Sequence, residues 1–166
     1  MSDKSILGTD DEKPVTNLPR LGEIGLRNFA PYLMNRIMAR YNHSLREEIA
    51  KQGLTTPKMR ALAVLSVMDG ILIRELAVHA VVEQSTLSRA LDQMAAENLI
   101  HREADAEDSR ATRVSLTVEG RAAFDAMWPQ MAAAHKQMFQ GIPDDERRVF
   151  VTTLQKILSN IRKNDI

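Results

Sequence analysis

Residues Arg74–Ile100 read RELAVHAVVEQSTLSRALDQMAAENLI, and this stretch decides the fold. RELAVHAV (Arg74 to Val81) reads as a helix, VEQS (Val82 to Ser85) as a break, and Thr86 to Ile100 as a second helix. In the second helix Leu87, Leu91, Met94 and Leu99 fall on one side at helical spacing, while Ser85, Thr86, Ser88, Arg89, Asp92 and Gln93 fall on the other. Helix, tight turn, helix is therefore the centre from which the rest is read.

On the N-terminal side, Ile71-Leu72-Ile73 is a short extended piece. Before it, Thr55 or Thr56 followed by Pro57 caps a short helix that carries Met59, Leu62, Ala63 and Leu65 to Val67 and ends near Asp69-Gly70. Further back, Phe29, Leu33, Ile37, Tyr41, Leu45 and Ile49 recur every four residues, the stripe of a long helix that Gly53 stops. Residues 1–17 are polar and acidic, interrupted by Pro14, and read as a mobile tail.

On the C-terminal side, Arg113 to Thr117 alternates as a strand does, and His101-Arg102-Glu103 can pair with it across the loop EADAEDSRATR, Glu103 to Arg113. That loop packs four acids and two arginines, which by composition alone is a solvated surface run. Thr117 caps the next helix, with Glu119 in its first turn, and Pro129 kinks or breaks that helix. Gly141-Ile142-Pro143 interrupts, Asp144, Asp145 and Glu146 open a last helix bearing Phe150, Leu154, Ile157, Leu158 and Ile161, and Arg162 and Lys163 close it. The expected organisation is a tail at 1–17, N-terminal helices at 18–53, a helix-turn-helix lobe at 54–118 and C-terminal helices at 119–166. The fold class is mainly α with a small β-wing.

Composition narrows the function. The chain contains no cysteine, which removes disulfides, thiolate metal sites and thiol nucleophiles together. No apolar run approaches the roughly 20 residues of a membrane span, and the N-terminus lacks the basic-then-apolar order of a signal peptide, so a cytoplasmic protein is expected, without membrane contact. His43, His79, His101 and His135 are dispersed, without the spacing of a metal cage. There is no G-x-S-x-G, no H-E-x-x-H and no phosphate-cradling glycine loop, so neither an enzyme nor a cofactor is expected. Met34, Met38, Met127, Met131 and Met138 suit either core packing or an adaptable ligand pocket, with packing the plainer reading.

A recognition helix needs small, hydrogen-bonding side chains at its first turn, where base edges of the major groove are met. Gln84, Ser85, Thr86, Ser88 and Arg89 supply them, although Ser85 could equally be an N-cap and Arg89 a surface arginine. Three segments in order, LTTPKMRALAVL, RELAVHAVVEQSTLSRALDQMAAENLIHRE and DSRATRVSLTVEGRAAF, resemble the MarR family of bacterial transcription regulators. The resemblance spans roughly residues 54–124, and the long flanking helices agree with that family's dimerisation arms. It implies a winged helix-turn-helix homodimer that binds a pseudo-palindromic double-stranded operator, with recognition helices about one DNA turn, roughly 34 Å, apart. It also implies repression relieved by a small lipophilic or phenolic effector. The family's Asp-x-Arg wing motif maps onto Asp108-Ser109-Arg110, with Asp108 orienting the guanidinium and Arg110 reaching the minor groove; Arg113 supports the wing or touches phosphate. Glu103, Asp105 and Glu107 are left as loop solvation. The absence of cysteine excludes control by thiol oxidation.

Two departures stand against this. Val81 occupies the turn where the family often has glycine, and a β-branched residue resists a left-handed backbone. Residues 54–118 hold seven Lys or Arg against nine Asp or Glu, a net of −2, whereas 18–53 hold six against three. An acidic lobe is unusual for a nucleic-acid binder and motivates the rival reading, a winged-helix interaction or dimerisation module without specific DNA binding.

Overall fold

The computed structural model of this protein describes residues 19–161. The tail reading for 1–17 and the closing residues Arg162 and Lys163 lie outside them. The chain divides into one unit up to Ala39 and a second from Arg40 onward. The first contains a short helix α1 (Leu21–Ile24), a 3-10 turn (Leu26–Asn28) and the start of α2 (Ala30–Lys51). Within it Arg36 donates to the Tyr32 hydroxyl at 3.2 Å, and Leu21, Leu26, Leu33, Ile37 and Met38 are exposed.

The second unit begins inside α2, whose Leu45 and Ile49 are buried. It continues through α3 (Thr56–Leu65), β1 (Ile71–Leu72), α4 (Ile73–Ala80), α5 (Gln84–Ala96), β2 (Ile100–Ala104), β3 (Thr112–Leu116), α6 (Val118–Met138) and α7 (Asp144–Ile161). Thr55 is the cap of α3, accepting from the Lys58 N–H, and Thr117 caps α6, accepting from the Gly120 N–H. The strands form one antiparallel sheet in the order β1-β3-β2, with Ile71 opposite Val114 and Arg102 opposite Val114 on its other side. One apolar core binds this unit: Leu62 and Leu65 of α3, Leu76 of α4, Leu87, Leu91 and Met94 of α5, Val114 of β3 and Met127 of α6 are all fully buried. The methionine reading resolves toward packing for Met127, which is enclosed, and Met131, which lies against the core.

Several boundaries differ from the sequence expectation. The second helix of the motif starts at Gln84, two residues early, with Glu83 as its cap residue and the Leu87 N–H bonded to the Glu83 carbonyl at 2.9 Å. It stops at Ala96 and not at Ile100: Asn98 takes a left-handed backbone, φ 56°, and the Leu99 N–H bonds the Met94 carbonyl, so Ile100 peels away into β2. Helix α3 ends at Leu65, short of Asp69-Gly70, where the Ser66 hydroxyl turns back onto the Ala63 carbonyl. Ile73 belongs to α4, whose first turn is closed by Glu75 accepting from the Leu72 N–H. Helix α6 runs unbroken through Pro129; burial of Met127 and packing of Met131 on either side of the proline hold the helix together there.

Val81 does adopt the left-handed conformation, φ 53° and ψ 52°, although it is valine. The Val82 N–H bonds the Ala77 carbonyl, closing the end of α4, and Arg60 donates to the Val81 carbonyl at 3.0 Å, so tertiary bonds hold a backbone that the side chain disfavours. The valine side chain is 77% exposed and contributes little packing in return. Val81→Gly should therefore raise the unfolding free energy by about 1 kcal/mol, the relieved strain outweighing the entropy glycine adds to the unfolded chain. Urea denaturation of the two proteins measures this; a loss of stability would mean that the strain is illusory.

Candidate nucleic-acid interface

Helix α5 presents two unlike sides. Leu87, Ala90, Leu91 and Met94 are buried, and Gln84, Ser85, Thr86, Ser88 and Arg89 are all exposed. With Glu83 as the cap residue, Ser85 sits inside the first turn, so capping does not account for its hydroxyl. Among the described residues, none of these five side chains enters a hydrogen bond or an ion pair, which leaves a row of free donors and acceptors beside the positive end of a helix.

Ion pairs hold this helix at two points. At its C-terminal end, Lys58 Nζ donates to both carboxylate oxygens of Glu97, at 2.7 and 2.9 Å, and the lysine side chain is almost completely buried. On its flank, Arg102 of β2 donates to Asp92 at 2.9 Å, linking helix to wing. The Nε and Nη2 of Arg102 are buried without a partner in the protein.

The hairpin β2–β3 is the wing. Its carboxylates, uniform in the sequence, play different parts. Glu103, Glu107 and Asp108 are exposed, but only 7% of the Asp105 side chain is. Asp105 Oδ1 accepts from the backbone N–H groups of Glu107 at 3.0 Å and Asp108 at 2.9 Å, and its other oxygen accepts from the Arg113 guanidinium. The Asp108 and Glu107 amides, and then Arg113, hold the Asp105 carboxyl below the usual aspartate range. A depressed carboxyl of this kind keeps its bonds throughout the neutral range and yields them only as pH falls through its lowered pKa. Asp108 accepts from the Arg110 backbone N–H at 3.0 Å, so it steers Arg110 through the main chain and not through the guanidinium. The Arg110 side chain itself is exposed and enters no hydrogen bond or ion pair among the described residues. Arg113 also donates to the Gly70 carbonyl at 2.8 Å, tying the wing to the turn before β1.

The organising parts of Asp105, Arg60 and the Lys58–Glu97 pair were not legible beforehand. By sequence Asp105 reads as loop solvation; an Asp two and three residues before main-chain amides in a tight loop is the one local signal that could have found it. Ion pairing leaves the net charge of the lobe at −2 but decides which of its charges are free. Three of its cations (Lys58, Arg102, Arg113) and three of its acids (Glu97, Asp92, Asp105) neutralise one another in ion pairs. Arg74, Arg89 and Arg110 remain exposed and outside any ion pair among the described residues. No group of three or more metal-ligating side chains occurs among the described residues, and no helix there is long and apolar enough to cross a membrane.

Comparison with known proteins agrees with this fold. The profile of the MarR family matches residues 52–111. A crystal structure of a MarR-family transcriptional regulator from Silicibacter pomeroyi is 56% identical, with a TM-score of 0.86, over 89% of this chain and 100% of that one. The transcriptional repressor IacR of Pseudomonas putida is 23% identical over 143 residues, 86% of either chain. CouR from Rhodococcus jostii RHA1, solved with p-coumaroyl-CoA bound, is 22% identical with a TM-score of 0.71, over 84% of this chain and 99% of that one.

Proposed function

Because this chain belongs to the MarR family of transcriptional regulators, we propose that it binds a pseudo-palindromic operator as a homodimer, with α5 in the major groove and the wing in the flanking minor groove. The observation that carries this reading is the unpartnered row Gln84, Ser85, Thr86, Ser88 and Arg89 on a helix whose opposite side is anchored in the core. In it, Arg89 reads a base edge, Arg110 enters the minor groove, Asp108 sets the direction of Arg110, and Arg113 braces the wing. Dimerisation is supported by apolar side chains left uncovered on the arms: Leu33, Ile37 and Met38 on α2, and Val149, Leu158 and Ile161 on α7. The protein acts as a repressor, as IacR does, and a small lipophilic or phenolic compound relieves it; the p-coumaroyl-CoA on CouR supports an aromatic acyl effector.

The test is an operator titration with the DNA upstream of its own gene across a range of salt. Binding should be sequence-selective and should weaken with salt, by roughly −0.9 in the log–log slope for each phosphate neutralised. Arg89→Ala is expected to weaken specific binding by about 1 to 3 kcal/mol while leaving binding to random DNA nearly unchanged. Equal losses on both would place Arg89 on a phosphate. No salt-sensitive selectivity at all would favour an interaction module.

A further inference from the structure

We infer that Asp105 is the positioning residue of the wing: its buried carboxylate sets the loop conformation from which Arg110 projects, and so governs operator affinity without touching DNA. The inference rests on the reading of Arg110 as the minor-groove contact. It starts from a contrast, an aspartate side chain only 7% exposed in a loop whose other carboxylates face solvent.

The bonds form a chain from the sheet to the tip. Arg113 is held at the Gly70 carbonyl and donates to Asp105 Oδ2; Asp105 Oδ1 gathers the Glu107 and Asp108 amides; Asp108 then takes the Arg110 amide on its carboxylate and the Ala111 amide, at 2.8 Å, on its carbonyl. The Asp105 N–H returns to the Ala111 carbonyl at 2.9 Å and closes the loop. Four amides of the loop, those of Glu107, Asp108, Arg110 and Ala111, thus depend on one carboxylate, directly or through Asp108. A loop without it must be ordered on the DNA, and that ordering opposes binding. Asn cannot replace Asp here, because its amide can offer Oδ1 to the two N–H groups only by turning NH2 toward the Arg113 guanidinium, donor against donor.

The experiment combines operator titrations of Asp105→Ala, Asp105→Asn, Arg110→Ala and the double variant Asp105→Ala/Arg110→Ala with backbone amide exchange in the free proteins. Asp105→Ala should weaken binding to an A·T-flanked operator by about tenfold and Asp105→Asn by a smaller factor, and the Glu107, Asp108 and Arg110 amides should lose protection. In the Arg110→Ala background the same substitution should cost less than about twofold. An equal loss in both backgrounds would overturn positioning in favour of general destabilisation, and lost affinity with the three amides still protected would overturn it in favour of an effect that does not pass through the loop's order. A silent Arg110→Ala is a different failure: it would remove the minor-groove reading itself, and the proposal with it.

Discussion

Gly120→Ala should lower the unfolding free energy by about 3 kcal/mol or more, although helix propensity alone calls for a gain near 1 kcal/mol. Gly120 lies buried in the first turn of α6, donating to the Thr117 hydroxyl at 2.9 Å, while that hydroxyl donates to the Asn98 carbonyl at 2.7 Å. A methyl group at position 120 would stand 1.9 Å from the Leu99 carbonyl oxygen and 3.1 Å from Leu116. The oxygen is main chain and cannot swing aside, because the Leu99 N–H is fixed to Met94 and its carbonyl accepts from Thr117. The start of α6 would have to leave the turn that follows α5, taking the Thr117 bonds with it. Thermal unfolding at fixed protein concentration should show a midpoint lower by roughly 10 °C. A midpoint unchanged or raised would mean that the two segments do not approach as closely as described.

The second large effect is expected at the far end of α5. Glu97→Ala should cost about 2 to 3 kcal/mol, because it leaves the Lys58 ammonium buried with no partner, whereas Lys58→Met should stay within about 1 kcal/mol. The figure for Glu97 is set below that of a fully enclosed pair because nearly half of its side chain, 48%, reaches solvent, which screens the interaction. Deleting the acid strands a charge; replacing the base by an apolar side chain of similar length removes the charge and keeps that position of α3 filled. Denaturant midpoints of both variants decide the matter, and equal costs would show that the lysine finds water when Glu97 is lost. Since Glu97 ends α5, the stranded lysine should also loosen the helix that carries Arg89, and specific DNA binding should fall with stability.

Much of the fold could be read from periodicity. The apolar spacing of Leu87, Leu91 and Met94 assigned the buried side of α5, and that assignment alone exposed Ser85, Thr86, Ser88 and Arg89. Caps at Thr117 and near Pro57, and the break at Gly141-Ile142-Pro143, were equally readable, because each acts within a few residues of itself. Boundaries set by tertiary bonds were not: the early end of α5 follows from Asn98 and the strand beyond it, and Pro129 fails to break α6 because buried neighbours hold both sides.

By itself, then, the sequence determined the order of elements, the buried and free sides of α5 and the place of the wing, since these follow from local spacing and chain direction. Only the tertiary structure decided which charges remain available to a ligand. Lys58 meets Glu97 across 39 residues, Arg102 meets Asp92 across ten, and Arg113 meets Asp105 across eight. An ion pair depends on distances of a few ångströms that folding alone creates, so a count along the chain gives the net of −2, which pairing leaves unchanged, but not which cations stay free. Once those pairs are closed, Arg89 on the helix and Arg110 on the wing remain uncommitted, and Asp105 holds the wing in place.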